Sequence, residues 1–248
     1  MYGYMPERRL LSIIVPVYNE AGTVGAVIER LLSFELPMER ELLVINDGSR
    51  DGTREVLDAL PPDPRVRIVH VSPNAGKGAA LRRGLGDARG DIIAIQDADL
   101  ELDPEQIAEL VAPILDGRAS VVYGSRFLEP HPDTPFMTMA GNRFLTATTN
   151  LLYGSRITDM ETCYKIMRTD VARSLDLQSN RFDIEPEITA KVLLSGHTIV
   201  ELPVRYRPRM KSQGKKINWR DGVHALRVLA GYRFGRGARQ RRARRQES

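Results

Sequence analysis

Short runs of apolar and β-branched residues recur along the first half of the chain, and stretches with helical spacing and turn residues separate them. The runs cover residues 11–17, 42–46, 66–71, 92–96 and 120–123. Strands that alternate with helical segments are typical of a parallel sheet with helices on both faces. The pattern therefore predicts an α/β protein with a mostly parallel central sheet and flanking helices.

The alternation of short apolar runs with helical segments changes after about Arg126. Apolar periodicity predicts helices over residues 136–153 and 185–195 and a late strand over residues 198–203. A helix start is also expected at Asp103, because a capping carboxylate precedes a proline there. We expect one domain over residues 1–234, with a nucleotide-binding half at about 10–126, an acceptor-binding half at about 127–234, and a flexible basic tail over 235–248.

Composition favours a folded protein of the cytoplasm. The chain has 248 residues, 42% of them hydrophobic, and its single cysteine, Cys163, has no partner for an internal disulfide. The apolar run that ends at Val17 is too short for a signal peptide or a membrane span, and no other segment approaches about 18 uncharged apolar residues. We therefore expect a protein that does not cross a membrane by itself.

The net charge of +4 is concentrated at the carboxyl end of the chain. Residues 233–248 hold seven arginines and one glutamate, a charge of +6, so the remaining chain carries −2. A mildly acidic body argues against a protein-wide nucleic-acid surface, and no nucleic-acid partner is expected. The tail indicates one local electrostatic contact, with a solvated tail of no function as the alternative.

Candidate ligand residues follow the first two predicted strands, at the sheet edge where α/β proteins bind ligands. Tyr18 is a candidate to flank a base and Glu20 to accept hydrogen bonds from it, although packing is the more common role of a proline and a tyrosine at a strand end. Asp47 is a candidate ligand of a base or ribose. Asp51, beside Gly52, is predicted to be a structural turn residue.

The segment Gly76-Lys77-Gly78 superficially suggests a phosphate loop. A P-loop requires glycine at position 71 and Ser or Thr at 78, where this chain has Val71 and Gly78. A dinucleotide fingerprint follows the first strand and not the third. We therefore expect a flexible turn whose backbone amides and Lys77 approach an anionic or polar ligand.

The fourth strand leads into the most informative motif, Asp97, Asp99 and Glu101. Acidic side chains on alternate residues project to one side of an extended chain and repel one another without a cation. Carboxylate oxygens suit Mg²⁺ or Mn²⁺, whose remaining ligands are commonly substrate phosphates. A lone Asp-x-Asp is a weak signal, but its place at a strand end beside two other candidate loops favours a metal site.

Taken in order, these motifs resemble those of family-2 inverting glycosyltransferases with the GT-A fold. The matching residues are Pro16-Val17-Tyr18-Asn19-Glu20, Asn46-Asp47-Gly48-Ser49, Gly76-Lys77-Gly78, Asp97-Ala98-Asp99 and Gly124-Ser125-Arg126. Within that family the chain is similar, over about residues 11–234, to dolichyl-phosphate and polyprenyl-phosphate sugar synthases. The resemblance implies metal-dependent transfer of a hexose from a nucleotide-sugar, of GDP-mannose or UDP-glucose type, to a lipid phosphate.

The resemblance also implies a role for each matching residue. The nucleoside would be held by Pro16, Tyr18, Glu20 and Asp47. The Mg²⁺ or Mn²⁺ ion would be held by Asp97, Asp99 and Glu101. Contacts near the donor phosphates and acceptor would come from Arg126, which is also a catalytic candidate, and from Arg209 and Lys215. Lys77 and Ala98 are further candidates for donor binding. Asn46 stands where relatives commonly have aspartate and Glu101 where lipid-phosphate mannosyltransferases often have glutamine, so the sugar stays open.

The nature of the acceptor decides whether a general base is required. A phosphate is already an anion near neutral pH, whereas a hydroxyl needs a carboxylate within hydrogen-bond reach. Asp159 and Glu161 form one candidate group, and Asp159 is preferred, either as a base or as an organiser of the acceptor site. The second group is Asp183, Glu185 and Glu187, for which helix capping and dipole compensation are favoured.

Basic residues cluster after the last predicted strand, at Arg205, Arg207, Arg209, Lys211, Lys215 and Lys216. An amphipathic stretch over residues 217–234 with Trp219 follows them. Together with the arginine-rich tail it predicts a peripheral anchor on anionic lipid at the inner face of the cell membrane. The alternative is a terminal helix packed on the domain.

Two other functions compete with the lipid-phosphate transferase. One is a glycosyltransferase with a hydroxyl acceptor, and the other is a nucleic-acid-binding or scaffold protein that uses the basic tail. A nucleotidyltransferase would share acidic metal ligands but requires a glycine-rich loop after the first strand, and Tyr18-Asn19-Glu20 is not one. The sequence does not indicate an oligomeric state.

Overall fold

The computed structural model describes residues 9–129, 136–208 and 219–236, with the backbone alone at 136, 219–221 and 236. The strands are β1 Leu10–Val17, β2 Glu39–Asp47, β3 Val66–Val71, β4 Ile92–Ile95, β5 Val121–Ser125, β6 Lys165–Arg168 and β7 Ile199–Pro203. The helices are α1 Val24–Ser33, α2 Thr53–Asp58, α3 Lys77–Asp87, α4 Ile107–Leu115, α5 Phe136–Tyr153, α6 Thr169–Ser174, α7 Ile184–Leu194 and α8 Trp219–Ala230. A 3₁₀ turn, Pro104–Gln106, precedes α4, and a π-helix, Gly231–Arg236, follows α8.

All seven strands belong to one sheet with the order β3-β2-β1-β4-β6-β5-β7. The pairs β1–β2, β1–β4, β2–β3 and β5–β7 are parallel. Among the described strands, β6 alone runs antiparallel to its neighbours, β4 and β5. The predicted α/β architecture with a mostly parallel sheet is therefore confirmed.

Both faces of this sheet are covered. Along β1, Ile13 and Val15 pack into one apolar cluster while Ile14 packs into the other, and all three are buried. A strand with helices on both faces reads as a continuous apolar run, and that is the pattern of residues 11–17. The carboxyl ends of β1, β2 and β4 consequently meet at one edge of a well-packed sheet.

Most of the predicted elements lie where the sequence places them. The helix expected over residues 136–153 is α5, and the one expected over 185–195 is α7, shifted by one residue. The Asp103 side chain accepts a hydrogen bond from the Glu105 N–H, as the capping prediction required. The strand β6 was not predicted, because its two apolar residues lie between Lys165 and Arg168 and form no recognisable run.

The carboxyl-terminal helix packs on the domain. Ala225 and Leu229 of α8 are buried with Leu145 of α5, and the Tyr153 hydroxyl donates to the Leu229 carbonyl at 2.7 Å. The packed alternative for this amphipathic stretch is thus confirmed for α8. Across the described ranges, no helix is long and apolar enough to cross a membrane. Arg209, Lys211, Lys215, Lys216 and tail residues 237–248 lie outside the described residues.

Candidate active site

The loops after β1 and β2 are joined by hydrogen bonds at the carboxyl edge of the sheet. The backbone N–H groups of Asn19, Glu20 and Ala21 donate to the side-chain oxygens of Ser49, Thr53 and Asp51 at 2.9, 2.9 and 3.2 Å. Asp51 also accepts from the Thr53 N–H at 3.1 Å, which confirms its structural role. The first two candidate ligand loops therefore form one connected surface.

Pro16, Tyr18 and Glu20 are partly exposed at this connected edge. The Glu20 carboxylate accepts a hydrogen bond from the Thr23 hydroxyl at 2.9 Å, at the start of α1. The edge position suits a nucleoside ligand. Contact between these three residues and a nucleoside stays a prediction.

Asp47 has a structural task in addition to any ligand role. Its carboxylate is buried and accepts from the Ala75 N–H at 2.8 Å, the Gly76 N–H at 2.7 Å and the Asn74 amide at 2.7 Å. Three hydrogen bonds to one carboxylate hold the β3–α3 turn against the end of β2. Its proposed contact with a base or ribose stays a prediction.

The segment Gly76–Gly78 is not the flexible turn that the sequence suggested. Lys77 is the first residue of α3, and Gly76 has a left-handed φ of 101°. A Cβ atom on Gly76 or Gly78 would collide with the backbone carbonyl groups of Asn180 and Ser179. Glycine is therefore required here for close packing. The Gly76 N–H is already bonded to Asp47, so it does not point to a ligand.

Lys77 is held between two carboxylates. Its ammonium nitrogen lies 2.8 Å from Asp97 Oδ1 and 2.9 Å from Glu185 Oε1. Burial acts to lower the pKa of Lys77, but the charges of Asp97 and Glu185 outweigh it, and the pKa is raised well above its usual value. Lys77 is consequently a permanent cation in contact with the first aspartate of the acidic motif.

The acidic motif lies in a turn and not in an extended strand. β4 ends at Ile95, and Leu100 has a left-handed φ of 60°. The Glu101 N–H donates to Asp99 Oδ1 at 3.1 Å, which closes the turn. The expectation that Asp97, Asp99 and Glu101 project to one side by strand alternation is therefore wrong. The side chain of Ala98 is buried in the core, so only its backbone is available near a donor.

Glu101 is directed towards the segment that follows β7. Its carboxylate accepts from the Tyr206 hydroxyl at 3.1 Å, and its carbonyl accepts from the Arg207 N–H at 2.8 Å. In the described part of the chain, no three His, Cys, Asp or Glu side chains form a cluster that could hold a metal ion. The structure therefore does not group Glu101 with Asp97 and Asp99 as a third ligand. The two aspartates fit Mg²⁺ or Mn²⁺, which commonly binds one or two carboxylates and substrate phosphates.

Arg126 and Asp159 form a buried ion pair. The guanidinium Nε and Nη2 lie 2.7 Å and 2.8 Å from Asp159 Oδ2 and Oδ1, and the Arg126 N–H donates to Oδ2 at 3.0 Å. Burial opposes the charge on Arg126, but Asp159 outweighs it and raises the pKa of Arg126. Because Asp159 is fully buried and both its oxygens accept hydrogen bonds, it orients Arg126 and is not placed to act as a general base.

Within the residues that the structure describes, Glu161, unlike Asp159, has a carboxylate oxygen without a hydrogen bond. Its Oε1 atom is buried and accepts no hydrogen bond from any described residue. Burial, only partly offset by Lys165, raises the pKa of Glu161 to about 7. Cys163, two residues on, is buried, and burial raises the pKa of its thiol well above the usual value, as expected for a packing residue. Of the first candidate group, Glu161 and not Asp159 retains an oxygen that can accept a proton.

The second candidate group does not cap α7 in the expected way. Asp183 stands at the helix start, but its side chain makes no capping hydrogen bond. Glu187 accepts from the backbone N–H groups of Gln178 and Ser179 at 2.9 and 2.6 Å. Glu185 instead pairs with Lys77 and Lys165. Only Glu185 of this group is thus connected to the acidic motif.

The sequence profile of Glycosyl transferase family 2 matches residues 12–176, about two thirds of the chain and all of the motifs at the sheet edge. The chain belongs to this family. It is a glycosyltransferase, as the ordered motifs predicted.

Several relatives match this family-2 glycosyltransferase over most of its length. Glycosyltransferase AglD of Haloferax volcanii is 30% identical over 80% of the chain, but the match covers only 33% of that protein. Undecaprenyl-phosphate mannosyltransferase of Micrococcus luteus is 29% identical over 93% of the chain and 96% of its own length. Polyprenol monophosphomannose synthase of Mycolicibacterium smegmatis is 28% identical over 82% and 79%.

Solved structures confirm the GT-A fold. Glucosyl-3-phosphoglycerate synthase from Mycobacterium tuberculosis, in complex with Mn²⁺, uridine diphosphate and glucosyl-3-phosphoglycerate, matches with a TM-score of 0.69. The match covers 91% of this chain and 80% of that one at 22% identity. At this identity the likeness shows the fold alone.

Two residues of this glycosyltransferase site were missed by sequence reasoning. The guanidinium carbon of Arg126 lies over the Tyr206 ring, 5.2 Å from the ring centre. The Tyr206 hydroxyl donates to the Glu101 carboxylate, so Tyr206 connects Arg126 to Glu101. Lys165 is fully buried and pairs with Glu185 at 2.5 Å. Nothing local in the sequence marks Tyr206 or Lys165, because the two apolar residues after Lys165 form no recognisable run.

Proposed function

We propose that this glycosyltransferase transfers a hexose from a nucleotide-sugar to a polyprenyl phosphate, with inversion and with Mg²⁺ or Mn²⁺ at Asp97 and Asp99. The two relatives aligned over most of their own length, named as an undecaprenyl-phosphate mannosyltransferase and a polyprenol monophosphomannose synthase, support this acceptor class. The donor is of GDP-mannose or UDP-glucose type.

The ion pair of Arg126 with Asp159 carries the proposal. It supplies a preorganised cation at the carboxyl end of β5 and removes Asp159 as a general base. An anionic acceptor is attracted by such a cation and needs no general base, whereas a hydroxyl acceptor needs a general base to remove its proton. Tyr206 links Arg126 to Glu101, so this cation lies beside the acidic motif.

The acidic motif suits the leaving group. Departure of a nucleoside diphosphate develops negative charge on the phosphate oxygens, and a divalent cation held by Asp97 and Asp99 would stabilise that charge. Lys77 pairs with both Asp97 and Glu185, so the Asp97 carboxylate is held in place before a substrate binds. Preorganised charges of this kind need no rearrangement during the reaction.

An exposed apolar stripe on α5 supports a peripheral position at the inner face of the cell membrane. Met137, Phe144 and Leu151 follow one another at intervals of seven residues and expose 79%, 61% and 86% of their surface. Residues at this spacing share one helix face, and Arg143 is exposed beside them. An apolar face with a flanking cation suits anionic lipid, where a polyprenyl phosphate resides. Residues 209–218 and the basic tail would add charge.

Glu161 favours one second candidate, transfer to a hydroxyl group. Its buried Oε1 atom has no partner within the described ranges, and its raised pKa, about 7, lies where a general base works best. In that reaction Glu161→Gln would lose most turnover, and the rate would fall below pH 7. With a phosphate acceptor the same variant keeps most of its rate.

One experiment tests the donor, the acceptor and the metal together. The protein is incubated with Mn²⁺ or Mg²⁺ and a panel of nucleotide-sugars, with and without a short polyprenyl phosphate, and products are identified by mass. We expect a glycosylated polyprenyl phosphate that forms only with metal. Efficient transfer to a sugar hydroxyl, and none to the lipid phosphate, would contradict the proposal.

A further inference from the structure

Four charged side chains of alternating sign connect the core of the protein to the acidic motif. Lys165 lies 2.5 Å from Glu185 Oε2, Glu185 Oε1 lies 2.9 Å from Lys77, and Lys77 lies 2.8 and 2.9 Å from the two carboxylate oxygens of Asp97. The exposed fraction of these side chains increases in the same order: 0%, 5%, 13% and 26%. The chain of ion pairs therefore begins in the interior and ends at the one member that reaches the open edge of the sheet.

The inner end of this chain is fixed by the backbone. The ammonium of Lys165 also donates to the carbonyl groups of Met160 at 3.0 Å and of Thr162. Glu185 stands in the first turn of α7, which anchors its main chain. The Glu185 carboxylate is therefore held by α7 and Lys165 in addition to its contact with Lys77.

Lys77 without Glu185 would behave differently. A lysine has a long flexible stem, and its charge is expensive to bury unless it is paired. The four side chains together carry two positive and two negative charges, so the group is neutral. Removal of the Glu185 charge leaves an excess positive charge beside Asp97, which repels a divalent cation at the same carboxylate.

We infer that Glu185 is a positioning residue for the metal-dependent transfer: it holds Lys77 in place and balances its charge, so that Asp97 stays available to a divalent cation. The inference rests on the proposed role of Asp97 and Asp99 in metal binding. Glu185 pairs with two lysines and is assigned no contact with metal or substrate. Its effect is transmitted through Lys77.

The chain offers a matched control in Glu187. Both glutamates lie in the first turn of α7, both are buried, and both pair with a lysine. The Glu187 carboxylate lies 2.7 Å from Lys191, which does not contact the acidic motif. A comparison of Glu185→Gln with Glu187→Gln thus separates loss of a buried ion pair from loss of the connection to Asp97.

The test measures Mn²⁺ affinity directly, by electron paramagnetic resonance of the free ion, with UDP and in parallel with GDP. We expect Glu185→Gln to weaken Mn²⁺ binding about tenfold or more, as one uncompensated charge nearby would do. Glu187→Gln should lower the melting temperature comparably and leave Mn²⁺ affinity within about twofold of the unmodified protein. Glu185→Asp keeps the charge, and we expect it to recover part of the affinity.

Two results would overturn the inference. One is a folded Glu185→Gln variant that binds Mn²⁺ as tightly as the unmodified protein, and the other is an equal loss of affinity in Glu187→Gln. Where Glu185→Gln does not fold, Glu185→Met takes its place, because it also removes the charge while keeping a side chain of similar size, and unchanged Mn²⁺ affinity there has the same meaning. If the unmodified protein binds no Mn²⁺ with either nucleotide and Asp99→Asn is fully active, the proposed metal site fails instead.

Discussion

The guanidinium of Arg126 and the carboxylate of Asp159 face each other in a two-pronged ion pair, with nitrogen-to-oxygen distances of 2.7 and 2.8 Å. The backbone N–H of Arg126 adds a third hydrogen bond at 3.0 Å. Such geometry fixes the guanidinium far better than a single contact does. Asp159 therefore fixes the direction in which Arg126 points.

Asp159→Asn should lower kcat about 100-fold and leave the shape of the pH–rate profile unchanged, because a neutral amide no longer fixes Arg126. Breaking a buried pair should also cost roughly 3–5 kcal/mol of stability, measured by urea unfolding. Asp183→Asn is the control, because Asp183 does not contact Arg126 and should change kcat little. Loss of the acidic limb of the profile in Asp159→Asn would instead assign Asp159 as the base.

Asp99→Asn should reduce transfer at least about 100-fold while the circular dichroism spectrum stays the same. An amide cannot replace a carboxylate on a hard cation whose other ligands are substrate phosphates. Asp97→Asn should have nearly the same effect on the rate. Turnover that is unchanged in Asp99→Asn and still requires metal would remove this residue from the site.

Nucleoside diphosphate and Mn²⁺ together should raise the melting temperature more than the sum of their separate effects. Each completes the ligand shell of the other, so binding of one increases affinity for the other. The measurement is differential scanning fluorimetry at fixed protein concentration. Strictly additive shifts would mean that the two ligands do not share a site.

Glu161 should make the protein less stable as the pH rises. Burial raises its pKa from 4.5 to about 7, so between these values the folded protein holds a proton that the unfolded chain has released. Stability is therefore full below about pH 4.5 and is lost as the pH rises through about 7. The loss is on the order of 3 kcal/mol. Urea unfolding at pH 5, 6, 7 and 8 should show it in the unmodified protein and not in Glu161→Gln; parallel curves would contradict the assignment.

The apolar stripe of α5 should contribute to binding of anionic vesicles. Truncation of Phe144 and Leu151 to serine removes two exposed apolar side chains, and we expect vesicle affinity to fall at least about tenfold. Deletion of residues 237–248 should weaken binding mainly at low salt, because its contribution is electrostatic. Both variants should turn over a short soluble acceptor normally. Unchanged sedimentation with vesicles in both would leave the membrane proposal without support.

The sequence by itself determined the fold class, most of the elements and the set of loops that carry chemistry. Apolar periodicity, turn residues and the order of motifs are local properties, which can be read from the sequence without knowledge of which distant residues come into contact. The same locality explains the failures. β6 has too few apolar residues to form a recognisable pattern. The turn after β4 requires a left-handed backbone conformation at Leu100, which the residue type does not predict.

Only the tertiary structure decided which charges meet. Lys77 and Asp97 are 20 positions apart and Arg126 and Asp159 are 33. The first pair follows from the packing of α3 against β1, the neighbour of β4, and the second from the pairing of β5 with β6. That pairing occupies Asp159, leaves an oxygen of Glu161 unpaired and ties Glu185 to the acidic motif. Whether a carboxylate can act as a base, orient a neighbouring cation or balance its charge depends on its burial and its partners. Both are properties of the folded chain.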